Sequence, residues 1–283
     1  SIILLQMKFF RKQKNNSIQC TACARYCEIP EGSVGYCGVR ENVGGEMNLL
    51  SYGKVLFLKK EGKKILVGTV GSNMRMPFDP NWDSSLFPFL RAQEVGRKKT
   101  NEEIKNMGYD LKPKKVLDYV KSQNCEEVVF QFNEPLVYTE YILEVCKQKK
   151  IKVSIVTTGY FSKEVLKEIL PLVDEISFLF FSTFDKFYIK HCSAQLSVIK
   201  ENIEFVFNSK VNLKILIPLI PEENDVLSIC TFFKGISPKI HLTFLNIIPS
   251  FRMLDKQATT VKELEEAVRI AKKVGMENVD FIA

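Results

Sequence analysis

Short β-branched or aromatic runs alternate with longer stretches of helical period along most of this chain, and the alternation restricts the fold more than any other feature. The runs are Ile65 to Gly71, Glu127 to Phe132, Lys152 to Thr158, Glu175 to Phe181, Leu213 to Ile220, Ile240 to Leu245 and Asn278 to Ile282. Between them lie Lys114 to Lys121, Val137 to Lys149, Lys163 to Leu170, Leu196 to Phe207, Asp225 to Lys234 and Val261 to Val274, each with apolar residues three and four apart. Two parallel strands need a long crossover, and a helix supplies it, so the repeated order predicts parallel βαβ units. Six or seven units in ~220 residues fit a full or partial (β/α) barrel better than a long open sheet. The expected fold class is α/β, a partial TIM-type barrel over residues 61–283.

Two regions break the pattern. Residues 17–60 are rich in Cys and Gly and read as a small N-terminal module after a tail over 1–16, with Met47 to Lys60 predicted as a β-hairpin. Residues 83–112 hold Pro88, Gly96 and Gly108 and read as a long loop with one helix, the kind of segment that covers a barrel's active site.

Four of the eight cysteines crowd into the module as Cys20, Cys23, Cys27 and Cys37, while Cys125, Cys146, Cys192 and Cys230 are scattered. Two thiolates separated by two residues can grip one metal from a tight turn, and Gly32, Gly35 and Gly38 let the loop curl back to it. Soft ligands of this kind suit tetrahedral zinc or a 4Fe–4S cluster. Zinc is favoured, because iron–sulfur spacings usually place three cysteines closer together with a fourth before Pro. Such a closed site stabilises a module too small to bury its own core. Two disulfides or four free thiols are the alternatives.

Net charge is +7, yet Lys and Glu interleave along most helical stretches, as on solvated helix faces. Only Lys8 to Lys14 and Arg97 to Lys99 form compact basic runs, and these are the places for an RNA contact. The apolar runs fall short of the ~20 residues that cross a bilayer, so no membrane span is expected. Ser1 to Met7 lacks the charged flank of a secretory signal. With clustered cysteines, this suggests a reducing compartment, the cytoplasm or an organelle matrix.

The string CTACARYCEIPEGSVGYCGVREN, from Cys20, and GGEMNLLSYGKV, from Gly44, resemble the N-terminal segment of radical S-adenosylmethionine (SAM) proteins related to the pyruvate formate-lyase activating enzyme, in the AmmeMemoRadiSam branch. The resemblance continues through VGTVGSNMRMPFDPNWD, FQFNEPLVYTEY, VTTGY and IPSFRMLD and so covers nearly the whole chain. It implies that three cysteines in the loop after the first strand hold a 4Fe–4S cluster whose fourth iron takes SAM. The matching positions here are Ser72, Met76 and Asp79, within a frame of Gly68, Thr69, Gly71, Asn73, Arg75, Asn81 and Trp82. A hydroxyl, a thioether and one carboxylate are poor substitutes for three thiolates, so the cluster is expected to be absent and SAM binding lost.

The resemblance also implies Asp and Lys at the end of the fourth strand, where this chain has Leu179 and Phe181, and Arg after the sixth, where it has Phe244. The Asn of a TNG motif becomes Thr158. Asn133, Glu134 and Pro135 match a segment beside the SAM amino group and are candidate vestigial cofactor residues, although a strand-ending turn explains them as well. Gly159 and Tyr160 persist too. No catalytic residue is assigned. His191 and His241 read as structural, the scattered cysteines lie away from strand C-terminal ends, and Glu140 with Glu144, like Glu164 with Glu168, reads as a solvent-facing pair. The expected function is a catalytically inactive radical SAM-like protein, a binding or scaffold subunit held by protein partners in a larger assembly, with one structural metal. The alternative is an active enzyme that binds SAM without the usual cluster or uses the N-terminal cysteines for an iron–sulfur cluster.

Overall fold

A computed structural model describes residues 7–148, 150–220 and 222–283. The expectation for Ser1 to Met7 therefore falls, but for Met7, outside the described residues, as does the Lys149 end of one predicted helix. The chain forms two compact units, Ser1–Asn73 with Asp83–Ile155 and Phe161–Val173, and Met74–Trp82 with Val156–Tyr160 and Asp174–Ala283.

All seven predicted strands form, as β1 (Lys64–Gly68), β2 (Glu127–Phe130), β3 (Lys152–Thr157), β4 (Glu175–Leu179), β5 (Asn212–Pro218), β6 (His241–Leu245) and β7 (Val279–Ile282). In the first unit β1, β2 and the start of β3 pair in parallel, with Glu127 opposite both Lys64 and Lys152. In the second, β4 to β7 pair in parallel in chain order. Carboxylates at strand starts are matched by lysines on neighbouring strands: Glu127 lies 3.5 Å from Lys64 and 3.6 Å from Lys152, and Glu175 lies 2.9 Å from Lys214. Above these pairs the strands are apolar and buried, with Val128, Phe130 and Ile155 in one unit and Ile176, Phe178, Ile215, Leu242 and Phe244 in the other. Burial on both faces accounts for continuous apolar runs in place of strict alternation.

The helices follow their predicted bounds closely, and local chemistry shows why they start where they do. Ser162 accepts the Val165 N–H at the start of Lys163–Ile169, Asp225 accepts the Ser228 N–H before Val226–Ile236, and Thr260 with Glu263 forms a capping box on Val261–Val274. Gly275, at φ 103°, closes that last helix in the left-handed region.

Three expectations need correction. Met47 to Lys60 is not one hairpin: Glu46–Leu49 pairs back with Arg40–Val43 across Gly44 and Gly45, while Phe57–Glu61 pairs with β1 across Gly62. Residues 83–112 hold two substantial helices, Phe87–Val95 and Arg97–Asn106, joined at Gly96. The second escapes a periodicity search because its buried face is Thr100, Asn101 and Ile104. Asn101 docks it by donating to Glu41 at 2.7 Å. Phe10–Lys12 pairs antiparallel with Ile18–Cys20.

Glu140 is the third correction, because it is 3% exposed and not solvent-facing. It lies on helix Thr139–Cys146 and accepts two hydrogen bonds from Arg40, 2.8 Å from Nη1 and 2.7 Å from Nη2. Arg40 Nη1 also donates to the Val137 carbonyl at 3.0 Å. Glu144 behaves as expected and pairs with Lys147 at the surface. Burial alone would push the Glu140 carboxyl up, but the Arg40 charge and hydrogen bonds hold it below the ordinary carboxylate range. The stability this group contributes is therefore complete above the unfolded-state value of about 4.3 and is lost as pH falls through the lower folded value. In urea unfolding at neutral pH, E140Q should cost about 3–5 kcal/mol by leaving Arg40 uncompensated. The wild type should lose more stability than E140Q on acidification through the Glu140 transition, and parallel pH profiles would contradict this account.

Candidate metal and cofactor sites

Of the four N-terminal cysteines, Cys20 lies on a short strand and Cys23, Cys27 and Cys37 lie in the turns and loops around it. Cys20 ends Ile18–Cys20, and its N–H donates to the Cys27 carbonyl at 2.8 Å, which folds the intervening loop back on itself. Cys23 bridges to Phe161, and Cys37 lies in the turn closed by Gly38 N–H to Gly35 O at 2.9 Å. Cys20, Cys23 and Cys37 are buried, Cys27 is half-buried, and all eight cysteines of the chain are free thiols. The Cys27 sulfur accepts the Tyr36 N–H at 3.4 Å. Burial pushes the Cys23 thiol well up, and the nearby Cys20, Cys37 and Cys27 push it the same way. Cys37 rises to about 11, again chiefly by burial and by Cys20. The four thiols thus lie within electrostatic reach of one another. Among the described residues, however, no three His, Cys, Asp or Glu side chains converge as a preformed metal site. A metal would have to draw the sulfurs together and displace their protons.

The module is packed against the loop after β1. Arg25, between Cys23 and Cys27, donates from Nε to the Asn73 carbonyl at 2.7 Å and lies 3.6 Å above the Tyr36 ring. Gly71, at φ 90°, leaves no room for a side chain, since a Cβ there would stand 2.6 Å from the Cys37 carbonyl oxygen and 2.7 Å from Val39. Ser72 follows directly and is buried.

In the same unit, Asn133 follows β2 at φ 54° and donates to the Thr69 carbonyl at 2.6 Å, with Ser84 as a further partner. Glu134 is fully buried and accepts the Leu136 N–H at 3.2 Å, while Pro135 opens the short 3-10 helix Pro135–Tyr138. Asn133, Glu134 and Pro135 therefore build a strand-ending turn.

The second unit contains Met76, Asp79, Thr158, Leu179, Phe181 and Phe244. Asp79 is buried and turns its carboxylate back on its own loop, accepting the Asn81 N–H at 2.8 Å. Two of the motif segments meet here: Arg252 N–H donates to Pro77 O at 3.0 Å, and Trp82 stacks on Phe251 at 5.0 Å. Phe181, just past the end of β4, joins an aromatic cluster with Phe78 at 5.1 Å, Tyr188 at 6.0 Å and Phe187 at 6.2 Å. Tyr188 also accepts the Phe181 N–H through its hydroxyl at 3.0 Å. Phe244 is fully buried on β6, and Gly159, at φ 82°, lets Phe178 close over the β3 turn. An open groove of about 430 Å³ in this unit is lined by Lys210, Asn212 and Lys239. It lies at the start of β5, the end away from a barrel's usual site.

Of the other candidates, His191 faces Glu223 at 3.7 Å and His241 faces Asp280 at 3.0 Å. Cys125, Cys146, Cys192 and Cys230 are buried in or beside helices and strand starts. The Lys8 to Lys14 run is partly neutralised within the chain, with Lys8 on Glu168, Arg11 on Glu164 and Lys12 on Glu46. Arg97 donates to the Pro88 carbonyl at 2.7 Å. No helix among the described residues is long and apolar enough to cross a membrane.

Parallel strands joined by helices, with motif loops after β1, β2 and β3, define an α/β protein of the partial (β/α) barrel class. The sequence profile of the Radical SAM superfamily matches residues 92–227. An uncharacterized protein of Methanocaldococcus jannaschii is 27% identical over 96% of this chain and 83% of its own length. Among solved structures, a radical SAM methyltransferase from Sphaerobacter thermophilus aligns at a TM-score of 0.54 and 10% identity, covering 79% of this chain and 68% of that one. TYW1 with a lysine-pyruvate adduct bound aligns at 0.51 and 13%, covering 79% and 76%. The chain is thus similar to the Radical SAM superfamily over residues 92–227.

That superfamily binds SAM and an iron–sulfur cluster. The three positions that the sequence resemblance assigns to such a cluster, Ser72, Met76 and Asp79, supply no thiolate, and the Asp79 carboxylate accepts the Asn81 N–H. Replacing Phe181 by Ala should cost about 3–5 kcal/mol in chemical denaturation, the cost of emptying a packed aromatic site. A change below about 1 kcal/mol would mean that the cluster around Phe181 is loosely packed.

Proposed function

We propose that this chain is a radical SAM-fold protein that does not carry out radical chemistry and serves as a binding or scaffold subunit within a larger protein assembly. One structural zinc at Cys20, Cys23, Cys27 and Cys37 completes its first unit. The observation that carries this reading is the Phe181 cluster: where the family resemblance implies charged donors after β4, four aromatic rings pack together. Apolar bulk offers nothing to the amino and carboxylate groups of SAM, and a buried charge set against it would be costly. The thiolate-free loop of Ser72, Met76 and Asp79 supports the same conclusion independently. Internal pairing of the Lys8 to Lys14 run favours a protein partner over RNA, because paired lysines release fewer counterions on a phosphate backbone.

Purified protein should contain about one zinc and no acid-labile sulfide. Calorimetry with SAM should give no heat at micromolar concentrations. Iron–sulfur reconstitution of S72C/M76C/D79C should not yield SAM cleavage, since Leu179, Phe181 and Phe244 remain. Micromolar SAM binding by the wild type, or SAM cleavage by the triple variant, would sink the proposal. Around four irons with sulfide, lost on replacing Cys20 and Cys37, would instead favour an iron–sulfur cluster in the N-terminal module, a reading that four cysteines in one module also permit.

A further inference from the structure

A second open groove in the second unit, of about 480 Å³, lies between the loop after β5 and helix Val261–Val274. Its floor is apolar, with Leu219, Ile220 and Val226 on one side and Ala267 and Ile270 on the helix. Val261 and Leu227, next in sequence to the lining residues Lys262 and Val226, are half or more exposed and extend the apolar surface. Contiguous apolar surface of this kind marks an interaction site. Its charge is equally distinctive. The segments that frame the groove, residues 219–227 and 254–270, carry seven carboxylates and three cations, a net charge of −4 in a chain of +7. Glu222, Glu263 and Glu266 line the groove itself against one amine, Lys262. Lys256 meets Glu222 at 2.7 Å and Arg269 meets Glu266 at 2.6 Å, but both carboxylates stay exposed, where such pairs are weak. The backbone around the groove is already engaged. Leu219 N–H donates to Leu245 O at 2.9 Å, the Leu219 carbonyl accepts the Thr259 hydroxyl at 2.6 Å, and the Ile220 carbonyl accepts the Glu223 N–H at 3.1 Å. An extended segment docking by strand addition needs free backbone groups, whereas a helix brings its own hydrogen bonds and needs only an apolar groove.

We infer that this groove docks a basic amphipathic helix of a partner protein, whose apolar face fills it while flanking Lys or Arg residues meet Glu222 and Glu266. This rests on the scaffold reading above and names the surface and the kind of partner. Glu263, Ala267 and Ile270 fall four and three residues apart, so they form one stripe along the helix, and a second helix packs on such a stripe ridge into groove. Ala267, small and buried, leaves the space that an apolar side chain of the partner would take. The groove at the start of β5 is lined by Lys210 and Lys239 and would repel the same segment. Charge therefore selects between the two grooves, and apolar burial supplies the affinity.

The test uses the full chain and a fluorescein-labelled peptide of about five helical turns, with leucine on one face and lysine on the other. Two control peptides keep the length: one scrambles the sequence so that the leucines share no face, and one replaces lysine by glutamate. In fluorescence anisotropy the leucine/lysine helix should bind at micromolar concentration, about tenfold or more tighter than either control. E222K/E266K should weaken binding about tenfold and flatten its salt dependence. I270Q should weaken it by a similar factor at high salt, where charge is screened and the apolar floor dominates. E222K/E266K changes exposed side chains only, so its result stands even if I270Q does not fold by circular dichroism. Binding no tighter than about 100 μM, equal binding by wild type and E222K/E266K, or preference for the glutamate peptide would overturn the inference. Each of these leaves the scaffold reading standing with its partner elsewhere. Self-association in analytical ultracentrifugation that I270Q abolishes would also overturn it, by making a second copy of this chain the occupant. SAM binding, measured separately by calorimetry, would overturn the scaffold reading without touching the groove.

Discussion

The Arg40–Glu140 pair sits at 1% and 3% exposure, with two hydrogen bonds between its members. Removing two charges from water is costly, and the cost is recovered only where geometry and remaining hydrogen bonds are nearly complete. That requirement orders the first unit: Arg40 must end the cysteine loop, Glu140 must lie on the helix after β2, and the two must meet within a fraction of an ångström. Breaking either side leaves a buried charge, so the module and the helix are held as one body. The same loop carries Cys37 three residues before Arg40, which places the candidate metal centre beside this constraint.

The second unit obeys a different rule. Around the end of β4, Phe78, Phe181, Phe187 and Tyr188 are held by dispersion and area burial. In the motif loops the backbone is fixed by local contacts: the Asn133 turn ties β2 to Thr69, Gly159 admits Phe178, and Arg252 meets Pro77. Turn chemistry is needed to end a strand whether or not a ligand is bound, and side-chain donors for a ligand are not.

Much of the fold was legible because parallel strands buried on both faces write continuous apolar runs, and helices packed on them write a 3.6-residue period. The seven strand runs and six helical stretches are of that kind. The helix Arg97–Asn106 was not legible, since it docks through Asn101 on Glu41 rather than through an apolar stripe. The pairing of Glu46–Leu49 with the preceding Arg40–Val43 was also hidden, because a run of strand-forming residues does not say which neighbour it joins. Glu140 misled for a plainer reason: a carboxylate four residues from another looks like a surface pair until its buried partner, a hundred positions away, is known.

The sequence by itself determined the alternating strand–helix order, the clustering of four cysteines, and the residue types Ser72, Met76 and Asp79 in the loop after β1, because each is a matter of residue type and spacing along the chain. Only the tertiary structure decided that Glu140 is buried on Arg40, that the Arg40 Nε–H is buried without a hydrogen-bond partner, and that Phe181 is enclosed by aromatic neighbours. Those are contacts between distant segments, and their energies depend on burial and distance, which no local pattern records.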